Sequence, residues 1–293
     1  MHVTAVRAIP ILALLAFGAA AQDQDRFIDM YVVKVKPEKR ADFDAMSKKM
    51  AEANRKNKGD RWLAYESVYG ETDTVVFGSS RKNYAATEAG MNSFDAAMKE
   101  AFGPKMPAMM ADFEKCINSG RAELRRRRWD LAINMPDSHE MNAAVGHSRY
   151  LRVTTIRVRP GQMSKWEEAF KIYKDAHEKN DPQKMPVAVS VAAVGMPGSV
   201  VYLSSFVPNL AAFDDRPTAR TMLGEGYDRF VQLSGESSAG SETDIYRWLP
   251  QLSNPPDEIA SADPAFWNPK PAAMPMKPKP AAKPADSAAK SGL

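Results

Sequence analysis

The chain contains few of the residues that cross-link a small fold or build a metal site. It has one cysteine and four histidines in 293 residues, so an internal disulfide is excluded and stability must come from the burial of apolar side chains. No two histidines have the spacing of a metal-ligand pair, and the sequence has no glycine-rich phosphate loop and no G-x-S-x-G nucleophile turn. We therefore predict no metal and no cofactor. Whether the protein is an enzyme is left open by these absences.

Long apolar runs are also missing after the first residues. Ile9 to Phe17 is too short to span a bilayer, follows the positive charge of Arg7, and precedes the small-residue triplet Ala19-Ala20-Ala21. We expect residues 1–21 to be a signal peptide, and the mature protein to be periplasmic or secreted. No later segment is long and apolar enough to cross a membrane.

The net charge of +4 is unevenly distributed. Residues 251–293 are dominated by Pro, Ala and Lys, a composition that is typical of a disordered or polyproline-like tail. Without this tail and the leader, the remaining body is close to neutral, which argues against nucleic acid as a partner. The basic tail could instead contact an anionic envelope surface.

An internal repeat defines the organisation of the chain. Val33-Lys34-Val35-Lys36-Pro37 reappears 123 positions later as Ile156-Arg157-Val158-Arg159-Pro160. The run from Val75 to Ser80 returns 125 positions later, and Arg128-Trp129 resembles Arg247-Trp248. The sequence thus predicts a first repeat over 22–131, a linker over 132–147 and a second repeat over 148–250.

Hydrophobic periodicity predicts the order β-α-β-β-α-β in each repeat. Two such units give an α+β fold with two four-stranded antiparallel sheets, which bury their free faces against each other as an intramolecular pseudo-dimeric α/β barrel. The chain could be a monomer or a homodimer of this unit.

Over residues 27–249, this element order and the strand–Pro–helix opening resemble the dimeric α/β-barrel (ferredoxin-like) superfamily. That group includes antibiotic-biosynthesis monooxygenase-like, EthD-like and NIPSNAP-like proteins. The resemblance implies a ligand space between the sheets for aromatic, polyketide-like or haem ligands. Haem-degrading members use a histidine on the second helical region, but this chain has none between Tyr69 and Leu131.

Strand alternation divides the first strand of each repeat into two faces. We expect Asp29 and Tyr31 in the first repeat, and Arg152 and Thr154 in the second, to point into the space between the sheets. Asp29 and Arg152 would then meet across the pseudo-two-fold axis or contact a ligand. The alternative is a structural ion pair near the strand ends.

The run from Arg125 to Arg128 resembles a nucleic-acid patch, but in a strand its members alternate between two faces. Guanidinium groups beside aromatic rings suit a planar, anionic ligand. The alternative is that these arginines pair with surface acids at a strand edge. Together with the first strands, the predicted ligand-binding residues are Asp29, Tyr31, Arg125, Arg127, Trp129, Arg152, Thr154, Tyr246 and Trp248.

Two sulfur-containing features favour core packing over reactivity. Cys116 aligns with Leu233 of the second repeat, which indicates a buried helix position. Met106, Met109 and Met110 could bind Cu(I), but they also form an ordinary apolar helix stripe, and packing is the more common role.

Three functions remain open from the sequence. The first is an exported protein that binds a small apolar or aromatic anionic ligand between its repeats. The second is a cofactor-independent monooxygenase-like or isomerase-like enzyme, in which Tyr31, Asp29 or Trp129 orients an aromatic substrate. The third is an envelope-associated scaffold that uses the repeat only as a structural unit.

Overall fold

Eight antiparallel strands close into one barrel in the order β1-β3-β2-β8-β5-β7-β6-β4. The computed structural model describes residues 24–214 and 216–268. The predicted signal peptide and residues 269–293 of the predicted tail lie outside these ranges. The strands are β1 (Phe27–Val35), β2 (Leu63–Tyr69), β3 (Thr74–Arg81), β4 (Ile117–Arg127), β5 (Tyr150–Val158), β6 (Val187–Val194), β7 (Ser199–Val207) and β8 (Ser238–Trp248).

The helices cover the outside of the barrel and one of its ends. Asn83 begins a long helix of the first repeat, because its side chain accepts a hydrogen bond from the N–H of Ala86. Within the described part of the chain, no helix has the length and apolar character to cross a bilayer. The helices are α1 (Arg40–Lys56), α2 (Tyr84–Phe102), α3 (Met106–Lys115), α4 (Ser138–His147), α5 (Met163–Asn180), α6 (Ala219–Leu223), α7 (Tyr227–Ser237), α8 (Asp257–Ala262) and α9 (Pro264–Trp267).

The two repeats join along two seams. β2 pairs with β8 and β4 pairs with β6, so that each four-stranded sheet is continuous with the other. At the first seam Glu66 is buried and accepts hydrogen bonds from Arg40 of its own repeat and Arg247 of the other. The predicted α+β fold, a pseudo-dimeric barrel of two ferredoxin-like repeats, is confirmed.

The predicted faces of the first strands are the reverse of those in the structure. Met30 and Val153 lie in the core inside the barrel, whereas Val33 packs against the helices of the first repeat. Asp29 and Tyr31 share the face of Val33 and therefore point toward the helices, as Thr154 does in the second repeat. The prediction failed because both faces of these strands are buried, so apolar character does not distinguish them.

Strand pairing also corrects the alignment of β3 with β7. Tyr31 pairs with Phe77, and Thr154, which occupies the position of Tyr31 in the second repeat, pairs with Leu203. Phe77 therefore corresponds to Leu203 and not to Tyr202, which the sequence alignment favours. A shift of one residue moves every side chain of a strand to the opposite face.

The last strands of the repeats are shifted by two residues relative to the sequence alignment. Val33 pairs with Gly120, and its equivalent Ile156 pairs with Ser241. Trp248 thus occupies the position of Arg127 and not that of Trp129. Since a shift of two residues preserves the face, the predicted grouping of Arg125 with Arg127 is unaffected.

Residues 251–268 fold onto the barrel, which corrects the predicted start of the disordered tail at 251. Helix α8 packs against α4, which lies within the predicted linker over 132–147. The two helices approach closely because Gly146 has no side chain, and a Cβ there would lie 2.4 Å from the Cβ of Ala262. Trp267 is fully buried against Trp248. This C-terminal segment closes one end of the barrel.

The sulfur-containing side chains pack as expected. Cys116 is buried, as is Leu233 at the equivalent position. Met106, Met109 and Met110 pack against the core between the first sheet and its helices. These observations confirm the predicted core role of Cys116 and assign the methionines to packing.

Candidate functional site

A cavity of about 400 Å³ lies between the outer face of β1 and β3 and the helices α1, α2 and α3. The first repeat alone forms it. Strand alternation directs every second residue of β1 and β3 toward it, and helical spacing brings in residues from α2 and α3. Its lining residues are Asp29, Tyr31, Ser47, Met50, Asp60, Trp62, Phe77, Ser79, Arg81, Met91, Phe94, Asp95, Met110 and Phe113.

Most of this first-repeat cavity is apolar. Aromatic rings and thioether side chains form the walls, and the edge of Trp62 meets the ring of Phe94 at 5.9 Å between centroids. The indole N–H of Trp62 is directed away from the cavity, since it donates to the carbonyl of Leu252. Such walls favour a flat, apolar ligand.

Polar groups collect at one end of the cavity. Arg81 is buried and donates two hydrogen bonds to Asp60, at 2.7 and 2.6 Å. Its contact with Asp29 is longer, 3.6 Å between Nη2 and Oδ2. Burial raises the pKa of Asp29, and the charge of Arg81 only partly opposes this effect. Arg81 is thus held mainly by Asp60, which leaves the carboxylate of Asp29 with only the longer contact.

Asp29 and Tyr31 offer complementary chemistry within the cavity. Two positions apart on β1, their side chains leave the strand about 7 Å from each other. Burial, together with the charge of Glu114, raises the pKa of Tyr31, so its phenol stays protonated and can donate a hydrogen bond. The carboxylate of Asp29 can accept a hydrogen bond or a proton from a ligand placed between them.

The second repeat contains an equivalent cavity of about 510 Å³ with different chemistry. Thr154 replaces Tyr31, and none of the described residues that line it is a carboxylate. Arg152, at the position of Asp29, lies 5.7 Å from the ring of Phe213. Asp29 and Arg152 therefore do not meet, and the predicted contact across the pseudo-two-fold axis is wrong.

The barrel interior is a packed core with small cavities, because charged and aromatic side chains fill its centre. Arg125 lies 3.5 Å from the ring centroid of Tyr202 and donates to Glu123 at 2.9 Å. Glu123 also accepts hydrogen bonds from Arg121 and from the hydroxyl of Tyr202. Cavities of about 90 and 110 Å³ remain at the two ends of the barrel.

Arg127 lines the smaller of these end cavities, and no carboxylate of the described residues pairs with it. It donates to the hydroxyl of Ser80 at 2.9 Å and to the sulfur of Met141 at 2.8 Å. Burial lowers its pKa to about 10, an effect that the charge of Asp25 only partly opposes. Trp129 lies in the turn after β4, 5.6 Å from Arg127, and its indole N–H donates to the carbonyl of Asp25.

The predicted ligand-binding residues are thus distributed over separate places. Asp29 and Tyr31 line the first-repeat cavity, and Thr154 lines the cavity of the second repeat. The cavity residues that sequence reasoning missed include Asp60 and Arg81. Asp60 follows the helix-breaking Lys58-Gly59, but no sequence pattern pairs it with Arg81. Inside the barrel lie Arg125, Arg127, Tyr246 and Trp248.

No family model and no curated protein matches this chain. Among solved structures it is similar to an anthrone oxidase-like protein (13% identity, 78% of this chain and 93% of the other, TM-score 0.49). It is also similar to a candidate monooxygenase from Lactobacillus acidophilus NCFM (8%, 77% and 94%, 0.46). A third is a mutant chlorite dismutase from Candidatus Nitrospira defluvii (11%, 83% and 97%, 0.46). These likenesses concern the fold alone.

Within residues 24–214 and 216–268, no three side chains of His, Cys, Asp or Glu converge as metal ligands. His177 is buried, and its ring contacts Asp181 and Arg216. Asp181 in turn accepts the backbone N–H groups of Gln183 and Met185, so this cluster fixes the turn after α5.

Proposed function

We infer that the protein binds a small, flat, largely apolar ligand in the first-repeat cavity, and that Asp29 accepts a hydrogen bond from the ligand. The observation that carries this inference is a carboxylate of raised pKa in an aromatic cavity of about 400 Å³. Such a cavity accommodates a molecule of two or three fused rings. Since Arg81, the one arginine among the described lining residues, is paired with Asp60, a neutral ligand with a hydroxyl group fits better than an anion.

Binding of 2-naphthol should depend on this cavity and not on its equivalent in the second repeat. Met91 lines the cavity and is about half exposed. Met91→Trp fills this part of the cavity with an indole, and we expect it to weaken 2-naphthol binding at least about tenfold in calorimetric titration. Ser234→Trp is the matched control, because Ser234 lines the second cavity. Equal affinity in both variants and the native protein would contradict the proposed site.

The same titration distinguishes the role of Asp29 from that of the apolar walls. Asp29→Asn should reduce 2-naphthol affinity at least about tenfold, because a hydrogen bond to a charged group contributes about 1.5–3 kcal/mol. Naphthalene, which has no hydroxyl, should bind both proteins equally. As the pH is lowered, Asp29 takes up a proton and 2-naphthol affinity should fall. Because the pKa of Asp29 is raised, this fall should begin at a higher pH than it would for an ordinary aspartate.

A second candidate function is catalysis of proton transfer, and it is favoured by Asp29 and Tyr31 facing the same cavity. Asp29 would remove a proton from carbon next to a ligand carbonyl, while the phenol of Tyr31 donates to the enolate oxygen. This chemistry is the first step of an isomerase, and in a cofactor-independent monooxygenase an enolate of this kind would be oxidised by molecular oxygen. A carboxylate whose pKa is raised is a stronger base than an ordinary one.

Deuterium exchange into 2-tetralone tests this function without requiring the natural substrate. The native protein should accelerate exchange at the acidic carbon, and Asp29→Asn should lose about 100-fold or more of that acceleration, as measured by proton NMR in heavy water. Asp95→Asn is the control, since Asp95 lines the same cavity but is exposed. If native protein and Asp29→Asn exchange at the same rate, binding alone is the better description.

A further inference from the structure

Arg127 differs from the other arginines that β4 directs into the barrel. Arg121 and Arg125 are both held by Glu123. Arg127 has only a hydroxyl and a thioether as acceptors, and its buried Nε has no hydrogen-bond partner in the described residues. A thioether sulfur is a weak acceptor. Among the described residues, the guanidinium of Arg127 is therefore the one cation directed into the barrel whose charge no carboxylate balances.

Comparison of the repeats shows what Arg127 replaces. The corrected strand pairing aligns Arg127 with Trp248, and it aligns Ser80 with Phe206. In the second repeat these two rings stack at 6.4 Å between centroids and nearly parallel planes. In the first repeat a hydroxyl and a guanidinium occupy the same places, so that an apolar stack has become a polar, cationic niche.

The niche has room for a small guest. Its cavity of about 90 Å³ corresponds to about three water molecules. That is too small for the fused-ring ligand of the first-repeat cavity, but sufficient for an anion of three or four heavy atoms. Beside Arg127 and Ser80, its polar lining includes Asn142, Ser190 and Ser204, while Trp248 and Phe206 form an apolar wall.

We propose that this cavity at the capped end of the barrel is a binding site for a small planar oxyanion of the carboxylate or nitrate type, held by Arg127. The Nε–H and an adjacent Nη–H form the flat, two-donor edge of a guanidinium that matches two oxygens of such an anion. The anion supplies the negative charge that Glu123 supplies to Arg125. The bound anion thus provides the counter-charge that this buried cation otherwise lacks.

The two capping helices form part of this site. Met141, Asn142 and Val145 of α4 and Ile259 of α8 line the cavity from the closed end. Asn142 donates to Glu258 at 2.7 Å, a contact that joins the two capping helices.

Titration with carbon-13 formate tests the proposal on the whole chain. We expect saturable binding, seen as broadening or a shift of the formate carbon signal, and an increase in thermal unfolding midpoint at constant ionic strength. Nitrate and acetate should compete, whereas the larger tetrahedral phosphate should not. Arg127→Met should abolish binding, and Arg126→Met, the neighbouring exposed arginine on the other face of β4, should leave it unchanged.

A second variant covers the case in which Arg127→Met fails to fold. Ser80→Phe combined with Arg127→Trp rebuilds the aromatic pair of the second repeat, and it should fold and no longer bind formate. Arg127→Lys keeps the charge without the two-donor edge and should weaken binding at least about tenfold. Formate binding that persists in Arg127→Met or in the double variant overturns the proposal, as does the absence of saturable binding to the native chain.

Discussion

Glu123→Gln is expected to destabilise the protein by about 3–5 kcal/mol. The side chain of Glu123 is fully buried and contacts Arg125, Arg121 and the hydroxyl of Tyr202. Neutralising it leaves the buried cation of Arg125 without its counter-charge, although the shape of the side chain is kept. Urea denaturation at neutral pH would measure the loss.

The second repeat provides the matched control. Asp244 occupies the position of Glu123, but it is only half-buried and its nearest partner is the hydroxyl of Tyr246 at 3.4 Å. Asp244→Asn should therefore cost less than about 1 kcal/mol. Changing Glu123 and Arg125 together, to Leu and Met, should cost much less than Glu123→Gln alone. A similar cost for the single and double variants would contradict the ion-pair explanation.

The contribution of Glu123 should also depend on pH. Burial alone would raise its pKa, but Arg125 and Arg121 outweigh burial and lower the pKa below the ordinary 4.5. A carboxylate with a depressed folded pKa stabilises fully above its unfolded pKa and loses that contribution as the pH falls through its folded pKa. The stability difference between native protein and Glu123→Gln should thus be constant above about pH 5 and shrink in acid.

Trp267→Ala should cost about 3–5 kcal/mol, even though the residue lies in a segment that the sequence predicts to be disordered. Trp267 is fully buried, lies 5.8 Å from the ring of Trp248 and donates its indole N–H to the carbonyl of Gly146 at 2.9 Å. The substitution opens a cavity between α9 and the barrel and removes the donor from a buried carbonyl.

Thermal unfolding would detect this loss, and the neighbouring ring provides a comparison. Phe266 is only partly buried, so Phe266→Ala should cost roughly 1–2 kcal/mol. Trp267→Ala should also expose the end of the barrel at Trp248 and increase quenching of tryptophan fluorescence by acrylamide. A Trp267→Ala protein as stable as the native one would mean that the C-terminal segment does not close the barrel.

The repeat made the fold predictable, but not the site. The similar residues of Val33 to Pro37 and Ile156 to Pro160 align the first strands correctly, and the order of the elements then predicts the barrel. The later strands were aligned by runs of similar residues, such as Val75-Val76 with Val200-Val201. Such runs match almost as well when shifted by one residue, whereas backbone pairing across the sheet allows one register only.

The location of the candidate site depended on which face of β1 is inside, and the sequence contains no strong signal for this. Both faces of β1 are buried, one by the opposite half of the barrel and the other by helices, so Ile28 and Val33 are equally apolar. The fixed pairing of Arg81 with Asp60 could not be predicted either, because it joins β3 to the loop before β2. The residues predicted to bind one aromatic, anionic ligand consequently line separate cavities outside and inside the barrel.

Fusion of the two repeats has a consequence for stoichiometry. Arg127 and its counterpart Trp248 line the same end of the barrel, which means that the pseudo-two-fold axis runs along the barrel. A symmetric dimer of the first repeat would bring two like charges into one cavity of about 90 Å³, and a dimer of the second repeat would bring in two indoles. A symmetric dimer therefore cannot hold one cation opposite one ring in this cavity, whereas the two unequal halves of this chain do.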